Sequence, residues 1–234
     1  MDETGCVEVT AYNLGQKLCE GSRMPALKEL FEGYRRFRHG TWTGDRARYV
    51  ALGEGQQPGA MIIGCADSRV DPATIFDTVP GQTFVVRNVA NLVPPYERGG
   101  GLHGVSAALE YAVKSLKVRY IIVMGHGGCG GIRAALAQAR NEDVGEFVGP
   151  WVSIAAKARD RVMADYPDAD DNTLASLLER EVIAASLNNL LTFPFVREAV
   201  AEGWLSLQAG WFAIASGELH WRDEDTGRFS VVDA

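Results

Sequence analysis

No apolar run in the sequence approaches the roughly 18 residues that a membrane-crossing helix needs, so a bilayer span is not expected. Basic residues are the minority: 23 Lys and Arg against 30 Asp and Glu leave a net charge of -7 and a pI near 5.2. That balance argues against nucleic acid and against anionic membrane surfaces as partners. Cysteine is scarce, with four in 234 residues, and no two are spaced as Cys-x-x-Cys. A dithiol exchange motif is thereby excluded, and a disulfide framework is not expected. The first residues, Met1-Asp2-Glu3, are acidic and no apolar segment follows them. A secretory signal is therefore not expected, and the expected location is the cytoplasm. Linker-like stretches are missing as well. A chain that is 47% hydrophobic then has one sizeable core to build.

Against this sparse background two stretches stand out. Met61-Ile62-Ile63-Gly64 is a short apolar run that stops at Cys65, with Asp67 and Arg69 close behind. A run of that length bounded by glycine reads as a buried strand, so the reactive side chains leave the sheet together at its carboxyl end. Asp67 and Arg69 are spaced to form a bidentate ion pair that holds the carboxylate in one orientation. The second stretch, Tyr120 to Met124, is also apolar and runs into Gly125-His126-Gly127-Gly128-Cys129-Gly130-Gly131. Two cysteines and a histidine form the kind of three-ligand set that a catalytic zinc uses while its fourth position stays open.

Residues 1–23 show no clean periodicity, and Met24-Pro25 is a plausible natural start. The expected organisation is an N-terminal extension over 1–23 and a single domain over 24–234. Leu27, Leu30, Phe31, Tyr34 and Phe37 recur at helical spacing, with Arg35, Arg36 and Arg38 on the other face. A second short helix is predicted over 45–52, then a glycine-rich loop over 53–59 that contains Gln56. Strands are predicted at 60–64, 83–87, 120–124 and 204–208, and a last one at 218–222 after a Ser216-Gly217 turn. Between them, helices are predicted near 104–117, 132–140, 150–164 and 173–191, and a short one after Asp71-Pro72, with Asp71 as its cap. Strands alternating with helices make an α/β fold whose mainly parallel sheet is flanked by helices. Sites in such sheets lie at strand carboxyl ends near a switch point, where Cys65 meets His126 and Cys129 despite their separation in sequence.

Several readings of these residues compete. Gly125-x-Gly127-x-x-Gly130 matches a dinucleotide fingerprint, but no later strand ends in the acidic residue that fingerprint requires. Cys65 could be a nucleophile with Arg69 binding an oxyanion, or a buried thiol with only a packing role. A closed structural zinc site needs a fourth ligand such as Cys19, and spacing alone does not exclude it. An open catalytic zinc is the preferred reading of the residues. For His39 a helix-end role is expected, for His103 surface exposure, and for His220, Trp204, Trp211 and Trp221 packing around a strand pair.

Cys65-Ala66-Asp67-Ser68-Arg69 together with His126-Gly127-Gly128-Cys129-Gly130-Gly131 resembles the motif pair of a β-class carbonic anhydrase. The segment from Phe84 to Tyr96 resembles the plant-type branch of that family, and the likeness runs from about residue 24 to 222. By this resemblance Cys65, His126 and Cys129 bind one Zn2+ per subunit, and Asp67 with Arg69 forms the catalytic dyad. Gln56, Phe84, Val89, Tyr111 and Gly130 fall where that branch builds its substrate pocket. The implied reaction is reversible hydration of CO2 to bicarbonate and a proton, by attack of zinc-bound hydroxide that the dyad orients. The resemblance also implies a homodimer or a dimer of dimers, with N-terminal helices extending onto the partner subunit. One branch of the family closes its site through a bicarbonate pocket of tryptophan, arginine and tyrosine. Here Ile62, Arg87 and Phe212 fall at those places, so Asp67 is expected to stay paired with Arg69. A zinc-dependent sensor, or a lyase acting on CS2 or COS, would be the alternative on the same scaffold.

Overall fold

The computed structural model describes residues 7–8, 17–18, 27–99, 101 and 103–233. Cys6 and Cys19 lie outside the described residues. Two units form, over 1–56 and 57–234.

In the first unit, β1 (Val7–Glu8) pairs antiparallel with β2 (Lys17–Leu18). Three helices follow: α1 (Leu27–His39), α2 (Thr41–Gly44) and α3 (Arg46–Leu52). The edge of Phe37 meets Tyr49 at 5.7 Å between ring centroids, and the Arg38 guanidinium lies 3.7 Å over the Trp42 ring. These contacts give α1 to α3 an aromatic seam of their own. The apolar stripe of α1 does not share in it fully: Leu27, Leu30, Phe31 and Tyr34 are more than half exposed. Gln56, also exposed, closes this unit.

The second unit is built on a six-stranded sheet of order β4-β3-β5-β6-β7-β8. Its strands are β3 (Ala60–Cys65), β4 (Thr83–Asn88), β5 (Tyr120–His126), β6 (Ser206–Ala213), β7 (Glu218–Arg222) and β8 (Phe229–Val231). The first four run parallel and the last two turn back antiparallel. β3 and β5 are apolar almost throughout and buried, as strands covered on both faces must be. The chain passes from β3 to one side for β4 and then crosses to the other side for β5. The switch point therefore lies between the carboxyl ends of β3 and β5.

Helices α4 (Pro72–Ile75), α5 (Gly104–Glu110), α6 (Gly130–Ala139), α7 (Val148–Val152), α8 (Ala156–Asp165), α9 (Asp171–Leu190) and α10 (Pro194–Ala201) flank this sheet. Asp71 caps α4 as expected, accepting from the Thr74 amide at 3.1 Å with Pro72 in the first turn. One buried cluster joins α6, α8 and α9, and a second lies around β3, β5, β6 and α10.

The expected helix near 104–117 ends in a π-turn over Tyr111–Leu116 that Lys117 stops in a left-handed conformation. The single helix expected over 150–164 is two, α7 and α8, joined by a 3-10 turn at Ser153–Ala155. Pro194 sits in the first turn of α10, where its missing N–H costs nothing. β6 starts later and runs further than expected, because its partner β5 extends to His126. β8 was not expected, since three residues at a sheet edge carry too little periodicity to be seen.

Candidate metal centre

β3 and β5 lie side by side with Gly64 opposite Met124, so the next residues of each strand emerge at one place. There the Sγ atoms of Cys65 and Cys129 are 3.8 Å apart. These two atoms and a ring nitrogen of His126 all lie within 4.8 Å of one another, and all three residues are buried. Two sulfurs each about 2.3 Å from one tetrahedral ion stand about 3.8 Å apart, the edge found here. The His126 ring is oriented by its own loop: Nδ1 meets the Gly127 carbonyl at 3.0 Å. An Nδ1–H donating there leaves a lone pair on Nε2, and Nε2 is a buried nitrogen without a hydrogen-bond partner. An orphaned buried acceptor facing two thiols is a site that fits zinc. A fourth protein ligand does not join this group among the described residues.

The titration behaviour follows the crowding. A hydrogen bond from the Cys129 thiol pulls Cys65 down to about 4, with burial opposing it and His126 assisting. The bond to Cys65, then burial, push Cys129 above the ordinary thiol range. Burial pulls His126 down, but the neighbouring Cys65, the Gly127 carbonyl and the charge of Asp67 prevail and raise it. A divalent ion between the two sulfurs is what would allow both to be thiolates.

Asp67 stands beside this group, its Oδ2 3.9 Å from His126 Nε2. Arg69 grips it from the far side through Nε to Oδ1 at 2.8 Å, Nη2 to Oδ2 at 2.6 Å, and the backbone N–H to Oδ1 at 3.0 Å. Those bonds from the Arg69 side chain hold the Asp67 carboxyl at about 2, with burial opposing. Arg69 also donates to the Gly128 carbonyl at 3.1 Å, which ties the pair to the loop that carries Cys129.

The remaining expected pocket residues are distributed unevenly. Phe84 and Tyr111 meet with ring centroids 5.9 Å apart, and Tyr111 is about half exposed. Val89 follows β4, and its carbonyl accepts from the Trp151 indole at 2.8 Å. Gly130 is the first residue of α6, whose leading N–H groups have no partner within the helix. Arg87 has its donors taken up by neighbouring groups of the protein. It gives Nε to the Cys65 carbonyl at 2.9 Å, Nη2 to the Asp67 carbonyl at 2.6 Å and Nη1 to Asp71 at 3.0 Å.

One residue of the centre was missed in the sequence. Glu179, in the middle of α9, is 4% exposed. Its Oε1 accepts from the Gly128 amide at 2.7 Å and the Cys129 amide at 3.2 Å, and its Oε2 from the Trp211 indole at 3.1 Å. Burial pushes its carboxyl up and these donors pull it back. A signal existed: Glu179 shares the inward helical stripe of Ala175, Val182, Ile183 and Ser186, where an acid needs a reason to be.

The family model described as carbonic anhydrase matches residues 60–219. Beta carbonic anhydrase 3 of Arabidopsis thaliana is 34% identical over 200 residues, covering 85% of this chain and 77% of that protein. Among solved structures, the β-carbonic anhydrase CcaA superposes with a TM-score of 0.81 at 33% identity, covering 89% of this chain and 92% of that one. The β-carbonic anhydrase of Coccomyxa in complex with acetazolamide gives 0.74 at 29% identity, covering 84% and 86%. A tetrameric β-carbonic anhydrase of the filamentous ascomycete Sordaria macrospora gives 0.72 at 26% identity, covering 87% and 98%.

Proposed function

The chain belongs to the β-carbonic anhydrase family, and from that premise we propose that it hydrates CO2 reversibly at a zinc ion held by Cys65, His126 and Cys129. The observation that carries this reading is the partnerless Nε2 of His126 facing two sulfurs at a tetrahedral edge, with a locked carboxylate beside them. When bound, zinc acidifies water and so supplies a nucleophile near neutral pH. Cys65 and Cys129 as thiolates, with neutral His126, would cancel the charge of that ion.

The protein's own groups do the rest. Asp67, ionised and gripped by Arg69, has an Oδ2 lone pair left over on the side of His126. It accepts one hydrogen of the water and so turns the oxygen's free pair toward the carbon of CO2. The new C–O bond forms as one π pair moves onto an oxygen, and a proton leaves to solvent. Phe84, Val89 and Tyr111 give an uncharged substrate apolar surroundings. The Gly130 N–H donates to an oxygen on which charge develops. Residues 24–234 act as one catalytic domain. The exposed apolar stripe of α1 seats on a second subunit, giving a homodimer or a larger assembly.

Stopped-flow CO2 hydration on protein of known zinc content tests this. Activity should vanish with a chelator and return with zinc, and Cys65→Ser, His126→Ala and Cys129→Ser should each lose both metal and activity. Full hydration without zinc would overturn the proposal.

A further inference from the structure

The Gly128–Cys129 segment is a short loop between β5 and α6, and its polar groups are shared out among remote residues. The amides of Gly131 and Ile132, at the start of α6, hydrogen-bond the Cys129 sulfur. The Gly128 and Cys129 amides point the other way, into the Glu179 carboxylate. Gly128 takes φ +68, a left-handed conformation that glycine adopts at no steric cost and that turns successive N–H groups toward one anion. The Gly128 carbonyl, on the opposite side of that residue, accepts from Arg69. Glu179 therefore touches no reacting atom, yet it holds the residue on which Arg69 rests as well as the ligand next to it.

Glu179 is itself held in one orientation. The Trp211 indole donates to Oε2, and the Arg180 guanidinium lies 3.9 Å over the face of that indole. A cation on the ring face strengthens the indole N–H as a donor. A buried carboxylate with three donors and no direct ion pair is costly unless all three bonds are kept. A side chain with a purely packing role at this place in α9 would be apolar, as Leu178, Val182 and Ile183 beside it are.

We propose that Glu179, fixed by Trp211, is a positioning residue of the zinc centre that sets the Cys129 ligand and the Asp67–Arg69 pair together through the backbone of Gly128 and Cys129. This rests on the zinc-dependent reading given above. Such outer partners of a metal site are worth roughly 10- to 100-fold in metal affinity or activity when removed.

Glu179→Gln keeps volume and shape. Its amide oxygen can accept from Gly128 and Cys129, but its NH2 then faces the Trp211 N–H, donor against donor. Zinc release to a chelator should be faster and zinc affinity roughly 10-fold or more weaker, with kcat falling more than KM changes. The absorption spectrum of the cobalt-substituted protein should shift, since the Cys129 sulfur is re-aimed. Trp211→Phe removes the facing donor. Combined with Glu179→Gln it should restore part of the lost zinc affinity, a rescue that no packing role produces. Trp211→Phe alone, which leaves Oε2 unpaired, should weaken zinc and shift the cobalt spectrum in the same direction, and so serves as the test if Glu179→Gln does not fold. A folded Glu179→Gln with wild-type zinc affinity and cobalt spectrum would overturn this role alone. A Trp211→Phe protein with wild-type zinc affinity would do so too, as would strictly additive losses in the double variant. A wild-type protein that binds no zinc would overturn the proposed function first and this role with it.

Discussion

Gly125 immediately precedes His126, and adding a single methyl group there tests how tightly α9 presses on the metal-ligand strand. A Cβ at this position would lie 2.7 Å from Ile183 Cδ1, 3.0 Å from Ile183 Cγ1 and 3.5 Å from the Asn91 side-chain oxygen. Carbon atoms pack best at about 3.5 to 4.0 Å, so the nearest contact is too short by about 0.8 Å. Ile183 is fully buried, in a core where a displaced side chain must push its neighbours. Gly125→Ala should therefore cost about 1–3 kcal/mol as overpacking. Ile183→Val deletes the Cδ1 atom and alone should cost about 0.5–1.5 kcal/mol. Together they should cost about 1 kcal/mol less than the sum, because the worst contact has gone while the 3.0 Å contact remains. Urea unfolding of the four proteins at pH 7 with saturating zinc closes the cycle. Zinc affinity should follow the same pattern, falling in Gly125→Ala as His126 is displaced and recovering in the double variant. Stabilities that add within about 0.5 kcal/mol would refute the claim that Ile183 is the reason for glycine here.

Arg69→Met should let the Asp67 carboxyl rise from about 2 toward its ordinary value of 3.8. A depressed carboxyl stabilises the fold above its unfolded pKa and loses that contribution as pH falls through the folded one. The stability difference from wild type should thus be present at pH 7, below about 1 kcal/mol because Arg69 is partly exposed and screened, and absent below about pH 2. CO2 hydration should drop by at least about 10-fold as the carboxylate loses its fixed direction, and an unchanged rate would remove Arg69 from the mechanism. Light scattering should find a homodimer or larger, and replacing Leu30 and Phe31 of α1 by Asp should dissociate it. A fully active monomer would contradict the subunit arrangement.

The sheet and the ligands were legible because each is local. Cys65 and His126 end uninterrupted apolar runs, and the carboxyl end of a strand delivers the residues beyond it to the switch point. The Asp67–Arg69 pair needs only two residues of chain to form. The features that were not legible depend on contacts between segments far apart in sequence. The glycine at 125 looks like part of a dinucleotide fingerprint until Ile183, 58 positions on, is seen against it. Glu179 was hidden in a helix whose apolar period accounts for its neighbours, and its three donors come from two other segments. The breaks within 104–117 and 150–164 were hidden for another reason: a π turn of six residues and a 3-10 turn of three are too short for their different periods to show in the apolar pattern.

The two loops that carry the ligands pose opposite problems, and the protein answers each with a charge of the matching kind. After β3 the chain leaves the sheet with carbonyl groups of Cys65 and Asp67 turned away from the ladder, and the guanidinium of Arg87 donates to both. After β5 it is amide groups, those of Gly128 and Cys129, that lack a ladder partner, and the carboxylate of Glu179 accepts both. A guanidinium has only donors and an ionised carboxylate only acceptors, so neither residue could serve the other's loop. Each comes from an element other than the loop it holds, β4 in one case and α9 in the other. The direction of a sulfur ligand depends on the dihedral angles of its own loop, and a loop outside the ladder does not fix those angles unaided. Charged groups that bind backbone, and not the metal, are how two short irregular segments are held in place beside the strands they leave.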